Sequence, residues 1–278
     1  MMALSSITGI PQFAFHIVEN QALIPGSDLI EETWLNGACK ITVENPPGQL
    51  LDQGSGFLFR FQSRQNVEVF GLLTCYHVVQ RALHDNQPIP DPQWIYIQFK
   101  ADLGYRDMLQ NIQLQNVPPI FSVGRDVYFQ EVSITFRNDM VARNINFFQE
   151  LNRYLDQQVW IPQYPLNGDR HLATASVQHQ MWFNRRHRVS TQRGSSGSPL
   201  LQLDNGELKA IGMHHAAIMT AVPMNLASHT MDIINFLNEG MGGGLLVPVG
   251  YPNQVAEACM HNLHESFGAS PRDIHGGK

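Results

Sequence analysis

Ser196 sits in Ser190-Thr191-Gln192-Arg193-Gly194-Ser195-Ser196-Gly197-Ser198-Pro199, with the apolar pair Leu200-Leu201 just beyond. A hydroxyl attacks a carbonyl carbon efficiently only when it is held clear of the backbone, next to a base and beside N–H groups that can receive an oxyanion. Small residues let the chain turn that tightly, and Gly194 accepts backbone geometry that a side chain would oppose. Such a serine needs an imidazole to take its proton, and the imidazole needs a carboxylate to fix its tautomer. His77 supplies the first, closing the apolar run Gly71-Leu72-Leu73-Thr74-Cys75-Tyr76. Asp126 supplies the second, opening Val127-Tyr128-Phe129-Gln130-Glu131-Val132, with Glu131 and Asp139 as the other carboxylates near it in the chain. The order His, Asp, Ser is one of the known orders of the catalytic triad.

These segments resemble those of trypsin-like serine peptidases, the chymotrypsin-fold group. Gly54-Ser55-Gly56-Phe57 resembles the family's Gly-x-Gly-Phe strand, and Leu73-Thr74-Cys75-Tyr76-His77 its Leu-Thr-Ala-Ala-His segment. Trp160-Ile161-Pro162-Gln163-Tyr164-Pro165-Leu166-Asn167-Gly168 resembles its Tyr-Pro-x-Gly segment, and the match spans roughly residues 36–240. The resemblance implies Ser196 as nucleophile, His77 as general base and then acid, and Asp126 as the orienting carboxylate. It also implies an oxyanion hole from the backbone N–H groups of Gly194 and Ser196, with no metal or organic cofactor. Family zymogens carry an aspartate just before the nucleophile to pair with a newly cut N-terminus. Ser195 stands there in this chain, so activation of that kind is not expected.

The resemblance extends to the pocket for the residue before the cut, P1. Thr191 lies five residues before Ser196, and His214 follows Gly212-Met213. A threonine with Gly-x-His resembles the arrangement in glutamyl endopeptidases and in picornaviral chymotrypsin-like cysteine proteases, which implies Glu or Gln at P1. A hydroxyl and an imidazole N–H can satisfy a buried carboxylate or amide oxygen. Ser190 is expected at the pocket base, where no aspartate stands to select Arg or Lys. His215 is expected on the opposite side of the strand from His214.

At 278 residues, 43% hydrophobic and 15% charged, the chain is that of a globular protein. A formal charge of −6 argues against a nucleic-acid footprint. Arg185-Arg186-His187-Arg188 is the one dense basic run and reads as a solvated loop. His261, His264 and Glu265 lie at helical spacings without a fourth ligand, so they read as a helix surface and not a zinc site. Gly240-Met241-Gly242-Gly243-Gly244 lacks the lysine of a phosphate loop. Three cysteines without paired spacing, and an N-terminus without a signal-peptide core, lead to the expectation of a cytoplasmic location with no membrane span.

The elements that must position the site read as mostly β: two antiparallel β-barrels of the six-stranded type, with a helical insert and C-terminal helices. Strands are expected at Ala38–Val43, Gly56–Phe61, Val67–Thr74, Trp94–Phe99, Val127–Phe136, Glu207–Gly212 and Ala216–Val222. Ile145, Phe148, Leu151 and Leu155 predict an amphipathic helix over Asn144–Gln157. Ser228 is expected to cap a helix through Asn238, and Asn253–Phe267 to form another. Three regions follow: residues 1–37 as an arm with a short helix from Asp28 to Leu35, 38–240 as the peptidase domain with its internal boundary near 140–158, and 241–278 as hinge and tail. The function expected is a serine endopeptidase acting through an acyl-enzyme on a peptide or protein substrate. The alternative is a latent or silent peptidase-fold module acting through a partner, bound by the arm or the tail.

Overall fold

The computed structural model describes residues 32–83, 89–100, 105–151, 158–165, 170–180, 184–187, 191, 193–218 and 224–241. The N-terminal half contributes β1 (Ala38–Glu44), β2 (Leu50–Gln62), β3 (Glu68–Thr74), the single turn α1 (Tyr76–Val79), β4 (Ile95–Gln98) and β5 (Arg106–Met108). The turn α2 (Leu109–Ile112), β6 (Ile120–Ser122), β7 (Val127–Glu131), α3 (Ile134–Ala142) and β8 (Phe148–Gln149) complete it. The C-terminal half holds β9 (Gln158–Gln163), β10 (His171–Gln180), β11 (Asn184–His187), β12 (Pro199–Asp204), β13 (Glu207–Ile218), β14 (Met224–His229) and α4 (Thr230–Met241).

The fold is mostly β and antiparallel, as the sequence predicts. β9 to β14 close into a six-stranded barrel, in the order β10-β11-β14-β13-β12-β9. The first sheet has eight strands and, among the described residues, runs as an open path β5-β4-β1-β2-β3-β7-β6. Its last strand, β8, pairs with β2 in parallel. The central strands β1, β2 and β3 are buried along most of their length, so apolar residues fill both faces. Phe57, Phe59, Phe61 and Phe129 contact one another in sequence across this core, all four fully buried. Each phenyl ring removed from water contributes about 1.5–3 kcal/mol. Val159, Ile161, Leu200 and Ile211 fill the barrel.

Five expectations need correction, the first being the basic run, whose residues 185–187 are not a loop but lie in strand β11, paired with β10 and β14. The stretch 144–157 does not begin a helix: Asn144 has φ 56°, and Phe148–Gln149 is extended. Ile145, Phe148 and Leu151 are nevertheless buried, because this connecting segment crosses between the sheets, where Leu151 N–H donates to Ala210 O at 2.8 Å. The helix lies earlier, at α3, where the Ser133 hydroxyl accepts from the Phe136 N–H, so the strand predicted to reach Phe136 stops at Glu131. α3 exposes Ile134 and Val141 while burying Phe136 and Met140, and therefore shows no clean apolar stripe. The two strands predicted at 207–212 and 216–222 are one strand, β13, with its register shift between His214 and Ala216. Ser228 is a residue of β14 and not a helix cap. The segment 28–31, the segment Asn253–Phe267 and residues 242–244 lie outside the described residues.

Candidate active site

β3 delivers the chain into α1, and His77 is the second residue of that turn. Asp126 occupies a tight turn ahead of β7, where its own N–H donates to Val123 O at 3.1 Å. Its φ of 52° is a left-handed conformation that aspartate tolerates better than most residues. Asp126 meets His77 twice, once at its backbone N–H and once at its ring. His77 N–H donates to Asp126 Oδ1 at 2.9 Å, and His77 Nδ1 lies 2.7 Å from Asp126 Oδ2. A carboxylate held at both oxygens fixes the ring plane and places the proton on Nδ1, leaving Nε2 as the basic nitrogen.

The electrostatics follow from that contact. Burial opposes the charged form of His77, but the charge and hydrogen bond of Asp126, with Asp52 adding, raise its pKa above the usual imidazole value. Burial likewise opposes the Asp126 carboxylate, yet His77 and then His215 hold it well below the usual carboxylate range.

Ser196 lies on the loop that leads into β12, and that loop is tied to both sheets. Ser196 O accepts from Ser55 N–H of β2 at 2.8 Å, and the Ser55 hydroxyl donates to Gly194 O at 2.8 Å. Gly197 N–H donates to His214 O of β13 at 2.8 Å. Gly197 has φ 87°, and a Cβ there would overlap the Ser55 carbonyl and the Thr74 hydroxyl, so only glycine fits. Gly194 also has positive φ, at 94°. Among the described residues, the N–H groups of Gly194 and Ser196 have no backbone acceptor. The Ser196 hydroxyl donates to His215 O at 3.0 Å.

His215 was expected on the face away from His214, and its ring reaches the acid. Its Nδ1 lies 3.4 Å from Asp126 Oδ2, and its Nε2 contacts the Ser228 hydroxyl. Both histidines are buried, at 3% and 8% exposure. Of the residues expected at the P1 pocket, Thr191 is bound to Asn225 Oδ1 of β14 through its hydroxyl, at 3.0 Å. Asn225 pairs with Ala217, three residues beyond His214 on β13, so Thr191 and His214 adjoin the same strand pair. Ser190 lies outside the described residues. The sequence carries no functional signal for Ser55, Asn225 or Ser228; each is a polar residue within a strand, and only strand pairing brings it to the site.

No protein-family model matches the chain, and no curated protein matches it in sequence. Solved structures do. An inactive-form serine-to-alanine mutant of Rv3671c from M. tuberculosis H37Rv is 15% identical over 78% of this chain and 91% of that one, with a TM-score of 0.50. The chain has the chymotrypsin fold. A Glu endopeptidase in complex with MPD is also similar, at 14% identity over 74% and 90% with a TM-score of 0.49. Deg5 matches at 15% over 72% and 86%, with a TM-score of 0.45. At these identities the likeness concerns the chymotrypsin fold alone. Among the described residues, no helix is long and apolar enough to cross a membrane.

Proposed function

We propose that this protein is a serine endopeptidase in which Ser196 attacks the peptide carbonyl, His77 takes its proton, and Asp126 orients and charge-stabilises His77. The observation that carries this reading is the double contact of His77 with Asp126, at 2.9 and 2.7 Å, across two separate chain segments. The amides of Gly194 and Ser196, without backbone acceptors among the described residues, would receive the oxyanion. Transfer of the proton from His77 to the leaving amine would release the first product and leave an acyl-Ser196, which water then hydrolyses. Thr191 and His214, with Ser190, would bind Glu or Gln at P1. Residues 38–240 would form the catalytic unit, with 1–37 and 241–278 open to a regulatory partner. Cys39 and Cys75 are free and buried, which supports a reducing compartment such as the cytoplasm.

A second reading, a latent enzyme, is favoured by one contact. The Ser196 hydroxyl is bound to His215 O, and it must rotate about Cα–Cβ before it attacks.

Both readings are tested by digesting a mixed peptide library, with fragments read by mass spectrometry and Ser196→Ala as control. Cuts after Glu or Gln that vanish in the variant, with a loss of about 10⁴-fold or more, are expected. Ser196-dependent cuts after other residues would remove the pocket assignment and keep the peptidase. A folded protein with no Ser196-dependent cut at all would favour the latent reading.

A further inference from the structure

Cys75, Asp126 and His215 converge from three chain segments. Cys75 Sγ lies 3.8 Å from His215 Nδ1, which lies 3.4 Å from Asp126 Oδ2, and the three donor atoms all fall within 4.8 Å of one another. We propose that these three residues form a binding site for a thiophilic divalent cation of the zinc class, and that occupation of the site switches the peptidase off.

The donor set is a thiol, an imidazole and a carboxylate, the three side chains that bind zinc most often. With zinc bonds of about 2.0–2.3 Å, donors at tetrahedral angles stand roughly 3.3–3.6 Å apart. The two measured separations lie within a few tenths of an ångström of that range. Ser228 supplies the outer contact that a ligating histidine needs. It sits against His215 Nε2 and can accept a hydrogen bond from the ring proton there once a cation takes Nδ1, which faces the thiol and the carboxylate. Cys75 is fully buried and His215 nearly so, while the Asp126 side chain keeps 27% exposure and opens a way in.

Charge favours the loaded state. Without a cation, the Cys75 Sγ–H donates to His214 O at 3.2 Å. A divalent ion displaces the thiol proton to solvent. One thiolate and one carboxylate then balance its two positive charges, so the buried site becomes neutral. Cys75 and Asp126 belong to the N-terminal sheet region and His215 to the barrel, so the ion joins the two halves.

Inhibition follows from Asp126 and rests on the peptidase reading above. The cation takes an Oδ2 lone pair beside the one that His77 uses. It also cancels the negative charge that must stabilise the imidazolium when Ser196 loses its proton.

The test uses the full chain after chelation. Cobalt(II) is titrated in and the thiolate-to-cobalt charge-transfer absorption is recorded for the wild type, Cys39→Ala, Cys259→Ala and Cys75→Ala. The band is expected in the first three and absent in the fourth. Zinc is expected to inhibit peptide cleavage reversibly, and Cys75→Ala to need at least tenfold more zinc, measured against its own metal-free rate. Circular dichroism checks folding; if Cys75→Ala fails to fold, Cys75→Ser replaces it, since an alcohol gives no such band. A folded wild type without the band, or a band that survives loss of Cys75, overturns the site. A band lost with Cys75 alongside unchanged zinc inhibition overturns the regulatory half. The cobalt spectrum needs no catalysis, so a chain that cleaves nothing would favour the latent reading and leave the site to be judged by its band.

Discussion

His77 and Asp126 set the pH at which the proposed chemistry can run. Cleavage needs His77 neutral, so that Nε2 can accept a proton. Burial penalises the charged imidazole, but Asp126 with Asp52 together stabilise it by more, so the folded pKa lies above the ordinary 6.5. A raised pKa keeps the imidazole protonated to higher pH. Activity of the metal-free protein is therefore expected to be low at acidic pH and to rise through a midpoint above 6.5. The pH profile of kcat/KM checks this, with Asp126→Asn as comparison. That variant is expected to lose about 10⁴-fold in kcat, because an amide N–H facing His77 favours the wrong tautomer. A wild-type midpoint below 6.5 would show that burial outweighs the carboxylate. At this scale the sequence is most legible: Ser196, His77 and Asp126 each carry a local signature of residue type beside a turn. His215 is legible only as one of two adjacent histidines, since its partner Asp126 lies 89 positions away in the chain.

Elements decide how the nucleophile loop keeps its shape, and at Gly197 the loop is pressed against two of them. Any side chain there must enter the space of the Ser55 carbonyl on β2 and the Thr74 hydroxyl on β3, in a left-handed backbone. Gly197→Ala is expected to cost about 3 kcal/mol, from strain of roughly 1–2 kcal/mol and overpacking of similar size. That corresponds to a fall of about 6–12 °C in Tm, read by thermal unfolding. A loss under 2 °C would mean that the loop shifts freely away from β2. Elements also mark where sequence patterns stop being informative. The strands of both sheets are visible because buried β-strands need apolar runs between turn residues. The helical periodicity at Ile145, Phe148 and Leu151 misleads because residues spaced by three also serve an extended segment passing between two cores. α3 escapes notice for the opposite reason, since two of its apolar residues face solvent and only the Ser133 cap marks its start.

Across the whole molecule, Ser55 is one of the points where the two halves are joined beside the site. Its N–H holds Ser196 O, its carbonyl receives the Thr74 hydroxyl at 2.7 Å, and its own hydroxyl donates to Gly194 O. The same hydroxyl accepts from Tyr164 N–H at 3.0 Å, at the end of β9, and the Tyr164 phenol returns to Ala38 O of β1 at 3.1 Å. Ser55 is 1% exposed and Tyr164 4%, so no water replaces a lost partner there at little cost. Ser55→Ala leaves the Gly194 carbonyl and the Tyr164 N–H with one partner fewer, an expected loss of about 2–4 kcal/mol in stability. If that hydroxyl only glues the halves together, the folded variant should cleave at the wild-type rate. Because it also anchors the loop on which the Gly194 and Ser196 amides lie, kcat is expected to fall about tenfold while KM stays near its original value. Removing the Tyr164 hydroxyl separates the two roles. Tyr164→Phe breaks a contact between the halves at Ala38 while leaving every bond of the Ser55 hydroxyl in place, so it should lower Tm and leave kcat unchanged. Equal losses of kcat in both variants would show that the loop answers to the general fit of the two halves and not to Ser55.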